Sequence, residues 1–169
     1  MSGETDLMSG EVDLMSGEVD LMSGEVDLMS GEVDLMSGEV DLGRLLAGMR
    51  PELRPGTYVF ATMSVGAVPA GLGVVMSFRE AEGTTLILSE AEAARAGLPV
   101  AFPCRWITLA VQSSLSAVGF LAAVTARLAE AGIAVNAVSA FHHDHLFVPA
   151  ARGEEAMGVL SALADRAAA

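Results

Sequence analysis

All three histidines of the chain fall in one short stretch, His142, His143 and His145, with Asp144 between them. Imidazoles and a carboxylate so close together are the residue types of a zinc site. Alternation along a hairpin, however, sets His143 and His145 on one side and His142 and Asp144 on the other. Two ligands per side fall short of the three or four that zinc takes from a protein, so a metal centre would need a second chain to complete it. A structural turn and a ligand-contacting role for His142 and Asp144 both fit the pattern better, and no metal is assigned.

Cys104 stands between Pro103 and Arg105. A nucleophilic thiol needs a positioned base and an oxyanion site, and nothing marks His142 or His145 as that base. Cys104 reads as a half-buried structural thiol. Gly66–Gly73 (GAVPAGLG) is rich enough in glycine to suggest a phosphate cradle. It lacks the following Gly-Lys-Ser/Thr and a complete GxGxxG, so it reads as a connecting loop. No Ser-centred elbow and no catalytic carboxylate pair occurs. The residues point to a protein that is not an enzyme and carries no cofactor.

The elements that would position these residues can be read from periodicity. Leu45, Leu46 and Met49 have helical spacing, which Pro51 ends, and Pro55-Gly56 marks a turn. Thr57–Met63, Val74–Phe78 and Thr84–Leu88 are predicted strands, rich in β-branched and aromatic residues. Ser89 precedes Glu90 and Glu92 as a predicted N-cap, and Gly97 and Pro99 follow the short helix. Arg105–Val111 alternates as a strand should. Phe120, Leu121, Val124 and Leu128 recur at three and four, predicting a helix over 117–131. Predicted strands over 133–141 and 145–148 flank a turn at 142–144, and a last helix follows over 153–164. The order β-α-β-β-α is a split βαβ pattern that packs helices on one face of an antiparallel sheet. The first half repeats it with the Gly-rich loop in place of its first helix. Two units of about 60 residues have poor cores alone, so side-by-side packing is expected.

Residues 1–42 are a different kind of polymer. They are six copies of Met-Ser-Gly-Glu-Val-Asp-Leu, with Thr5 replacing Val in the first copy. This leader holds 12 of the 22 acidic residues and no basic one. The leader therefore carries −12 of the overall charge of −13, and the remainder has a net charge of −1. Neither part carries the basic stripe that nucleic acid requires. The apolar positions of the repeat spread too widely for a coiled-coil seam, and each copy contains a helix-weakening Gly. The leader is expected to be disordered and to contribute little to the fold. Division into 1–42, 43–102 and 103–169 follows. The lone cysteine cannot form an internal disulfide, which favours a reducing compartment. No signal peptide is visible and no apolar stretch approaches the ~20 residues of a membrane span. A cytoplasmic location is expected.

The second half resembles an ACT domain, the ferredoxin-like module that senses amino acids in metabolic enzymes. The residues that carry the likeness are Ile107–Val111, Ser116–Leu121, Ala131-Gly132-Ile133, Asn136 and the hairpin through Phe147-Val148. Tyr58-Val59-Phe60, Phe78-Arg79-Glu80, Trp106–Leu109 and the string from Phe141 to Pro149 further resemble small bacterial tandem-ACT proteins, similar to the paired ACT domains of aspartate kinases. The resemblance implies an α+β fold of two ACT-type βαββα units. It also implies an amino-acid site at the loop before the 117–131 helix, with Ser113, Ser116, Val118, Gly119, Phe120 and Leu121. Unpaired N–H groups at that helix N-terminus suit a carboxylate, and a Gly there permits close approach. The ACT pattern places Asp and Pro where this chain has Ser116 and Val118, and Asn where it has Ala134. Asn136 lies two residues on, along the same strand face. The implied protein is a small-molecule-binding regulator acting across a domain or dimer interface, with a homodimer or partner protein as its output. A structural interaction module that pairs sheet edges is the alternative.

Overall fold

A computed structural model describes residues 38–64, 66 and 68–169. The expected disorder of the leader lies, for residues 1–37, outside the described residues. From Leu42 the order is α1 (Leu42–Gly48), β1 (Pro51–Leu53), β2 (Tyr58–Met63), β3 (Val74–Arg79), β4 (Thr84–Ser89) and α2 (Glu90–Arg95). Then come β5 (Val100–Leu109), α3 (Phe120–Glu130), β6 (Asn136–Ser139), β7 (Asp144–Pro149), a 3-10 turn (Ala150–Arg152) and α4 (Gly153–Ala168).

The strands form one antiparallel sheet in the order β3-β4-β2-β5-β7-β6, and β1 pairs with the second half of β5. Strand β5 is therefore shared. Its first half pairs with β2, and its second half lies between β1 and β7. It begins at Val100, ahead of the strand expected from Arg105. The register shifts between Tyr58 and Phe60, where β5 has one residue more than β2. Phe102 takes the extra place with φ 53°. A bulge bends a strand and tolerates the missing N–H of a proline, so β5 turns at Phe102-Pro103 instead of ending there.

Three groups of buried side chains follow the alternation of the strands. Leu45 of α1 and Met49 just after it pack with Ile107 and Leu109 of β5, Val124 and Leu128 of α3, Leu146 of β7 and Leu160 of α4. Val59, Leu86 and Leu88 pack with Ala93 of α2. The opposite sheet face gathers Ile87, Cys104 and Phe147, with Tyr58, Phe60 and Trp106 against them, and no helix contributes to it. The helices thus cover one face, as the split pattern predicts. The cores do not follow the halves of the chain: Leu45 and Met49, from the expected 43–102 stretch, are buried among residues of 103–169.

Helix ends explain two boundaries that differ from expectation. At the end of α3, Gly132 takes φ 69° and the Ile133 N–H bonds Leu128 O at 2.9 Å. That is a Schellman closure, so Ile133 anchors the helix end in the core and β6 begins only at Asn136. At the start of α1, Asp41 accepts from the Arg44 N–H at 2.8 Å. The last heptapeptide copy therefore supplies the N-cap of the first helix, more than the leader was expected to contribute. Among the described residues no helix is long and apolar enough to cross a membrane.

Candidate functional site

Asp144 opens β7 and is 3% exposed. Its place follows from strand parity: Asp144, Leu146 and Val148 share the helix-covered face, and His145 and Phe147 share the other. Ser113 Oγ donates to Asp144 Oδ2 at 3.1 Å, and Ser139 Oγ donates to Oδ1 at 2.5 Å. Ser139 arrives because β6 pairs with β7 in the register Ser139↔Asp144. Both carboxylate oxygens are thereby oriented by hydroxyls, and among the described residues no cationic side chain bonds either of them.

Facing this carboxylate is the N-terminus of α3. Gly119 is its N-cap, in the left-handed region at φ 91°, with no side chain to cap the helix. The first N–H groups of a helix have no intrahelical acceptor, so those of the Phe120 turn are left for an outside partner. A cleft of about 120 Å³ joins the two features, lined by Ser113, Ser114, Leu115, Ala117, Gly119–Ala122, Ser139 and Asp144. One end is a buried carboxylate and the other is the positive end of a helix dipole.

The structure brings Ser113, Gly119, Phe120, Leu121 and Asp144 together around this cleft. The other expected site residues lie elsewhere. Ser116 is exposed and shares a hydroxyl bond with Ser114 at 2.8 Å. Val118 is 83% exposed at the loop crest. Asn136 is opposite Phe147 in the register, on the helix-free face and away from the cleft. Its spacing from Ala134 kept one strand face only if the strand began at Ile133. The residue sequence reasoning missed is Ser139: the hairpin loop is 140–143, not the expected 142–144, and only the resulting register Ser139↔Asp144 sets it beside the carboxylate.

The histidines do not converge. His142 packs its ring edgewise on Phe141 at 5.0 Å. His143 Nδ1 lies 3.1 Å from Val111 O, which makes that nitrogen the donor. His145 Nδ1 accepts from Trp106 Nε1 at 3.1 Å and lies 3.2 Å from the Thr108 hydroxyl. Burial, with help from His143 and Arg54, holds its pKa below the usual histidine range. Among the described residues no group of three or more His, Cys, Asp or Glu could hold a metal ion. Cys104 donates its S–H to Tyr58 O at 3.2 Å, and burial pushes its thiol up to about 11. Such a thiol carries almost no thiolate at neutral pH.

Two family models described as ACT domain match the chain, over residues 37–105 and 101–162. A Vibrio cholerae protein of unknown function, described as a possible transport protein, is 41% identical and superposes with a TM-score of 0.67. The match covers 73% of this chain and 95% of that one. The chain belongs to the ACT-domain family. Its two ACT domains stand in tandem, in a ferredoxin-like fold. An Agrobacterium tumefaciens protein shares the fold at 24% identity and TM-score 0.57, over 69% of this chain and 89% of that one. So does the regulatory subunit of aspartate kinase from Thermus thermophilus, at 12% identity and TM-score 0.53, over 67% and 95%. No curated protein matches. ACT domains are regulatory, non-catalytic modules that bind small ligands. In this ACT protein the cleft lies at the loop before α3.

Proposed function

We propose that this protein is an amino-acid sensor whose cleft between Asp144 and the α3 N-terminus receives the charged end of a free amino acid. The observation that carries the reading is the pairing of opposite polarities across one small cleft. A ligand carboxylate would lie on the free N–H groups after Gly119, and its ammonium would lie on Asp144. Asp144 thus takes the acidic role that the residue at Ser116 fails to supply. A carboxylate at a helix N-terminus gains roughly 0.3–1 kcal/mol, and up to about 2 when partly buried. An ammonium on a buried carboxylate adds the stronger charge-assisted bond.

The ligand-binding unit in this reading is assembled from 38–54 together with 105–169, and the other unit is 55–104. Leu115, 68% exposed, lines the cleft, and Val118, next to Gly119 in the chain, is 83% exposed. Their exposure supports closure of the cleft by a second copy or a partner protein. Ligand binding would then shift the population between two arrangements of the chains, which is the regulatory output. The cytoplasmic location expected from the lone, reduced cysteine fits a sensor of metabolites.

The test is a thermal-shift titration of the full chain with each of the twenty amino acids. A ligand at 100 times its Kd stabilises the native state by about 2.7 kcal/mol. A rise in Tm with an amino acid is expected, lost with the matching carboxylic acid that lacks the amine and lost in Asp144→Asn. A flat response to all twenty from a folded sample would sink the sensor. The interaction-module reading would then lead, favoured by Phe78, 63% exposed on the edge strand β3. An unpaired edge can add a strand from another chain, and gel filtration would reveal the resulting oligomer.

A further inference from the structure

We propose that the end of the last heptapeptide copy, Gly38–Asp41, is a strap that positions the binding loop, with Gly38 as the residue that lets it seat. The Glu39 N–H donates to Gln112 O at 2.9 Å, and the Ser114 N–H donates to Glu39 O at 3.0 Å. These bonds make a parallel bridge between Glu39 and Ser113. Ser113 is the residue whose hydroxyl orients Asp144. The strap therefore grips the loop one backbone bond away from the cleft's own polar contact.

Two contacts fix the strap at its ends. A Cβ at Gly38 would lie 2.3 Å from Ser114 N and 2.6 Å from its Cα, closer than any side chain can approach backbone. Only glycine fits there. At the other end Asp41 caps α1, and a methyl of Leu42 lies 3.6 Å from where a Gly119 Cβ would stand. The strap and the first residue of α1 thus back the loop at Ser114 and at Gly119, both of which line the cleft. Gly38 is a positioning residue: it touches no ligand-facing atom and acts through Ser113 and Ser114.

The repeat supplies its own control. Gly31 occupies the same place in the preceding copy, with identical neighbours in sequence. The experiment is amide hydrogen exchange on the full chain, wild type against Gly38→Val, Gly31→Val and Glu39→Pro, which removes the N–H that bonds Gln112. Glycine is titrated into each by calorimetry, because it carries both charges and nothing else. Gly38→Val and Glu39→Pro are expected to speed exchange at Ser114 at least tenfold, with Ile107 in β5 unchanged. Glycine affinity is expected to fall at least fivefold in both, and Gly31→Val is expected to match wild type. Unchanged exchange at Ser114 in Gly38→Val overturns the strap. So does equal damage from Gly31→Val, or a freed Ser114 with glycine affinity intact. The affinity arm rests on the sensor reading; wild type that takes no glycine counts against that reading, and the strap is then decided by the exchange at Ser114 alone.

Discussion

Asp144 and His145 are neighbours in sequence with opposite surroundings, because successive residues of a strand face opposite sides of the sheet. Asp144 meets two serine hydroxyls on the helix side, whereas His145 meets Trp106 and Thr108 on the aromatic side. With Trp106 donating to Nδ1, the proton of neutral His145 is on Nε2. The folded state lowers the His145 pKa, chiefly by burial, so the unfolded chain binds its proton more readily. That stability is fully present above the ordinary histidine pKa of about 6.5 and is lost as pH falls through the lower folded value. Urea midpoints should therefore drop between pH 7.5 and 5, and His145→Gln should flatten that slope. A slope unchanged in the variant would place its origin elsewhere. Cys104 makes a second prediction at this scale. A buried thiol raised to about 11 should resist iodoacetamide at pH 8 in the native protein and react fully in denaturant, with mass spectrometry as the readout.

The start of α3 shows how an element creates a site. Helical periodicity predicts the body of this helix, but the feature proposed to bind is its first turn, where backbone donors lack partners. Gly119 permits this by adopting φ 91°. In Gly119→Ala the left-handed conformation should cost about 1–2 kcal/mol, measurable as a lower urea midpoint, and the new methyl should weaken glycine binding. Asp41 serves the opposite purpose at α1, satisfying a donor with its side chain. Asp41→Ala should cost about 1 kcal/mol, read by the same denaturation. Equal stability of either variant and wild type would remove the assigned role. Strand β5 belongs to this scale too. Its turn at Phe102-Pro103 lets one strand serve both sheet halves, which a rule treating proline as a terminator cannot anticipate.

At the scale of the whole molecule, the N-terminal segment and the C-terminal half share one core. Leu45 is fully buried among Ile107, Val124, Leu146 and Leu160. Leu45→Ala should destabilise the protein by about 2–5 kcal/mol, the usual range for a leucine removed from a packed core. Chemical denaturation checks this, and a loss below 1 kcal/mol would mean that α1 is peripheral. Local pattern determined much of this protein from sequence: the β-α-β-β-α order, the capped helices, the ACT likeness and the glycine before α3. Each depends on residues close together in the chain, whose spacing records a period of two or of 3.6. What only the tertiary structure decided depends on register and on long-range pairing. The hairpin register brought Ser139 to Asp144 and turned Asn136 away. The pairing of β1 with β5 carried α1 into the distant core, and the approach of Gly38 to Ser114 joined the end of a repeat to the loop before α3. A single residue's shift in any of these pairings exchanges the two faces of a strand, and no local spacing records which shift the packed core selects.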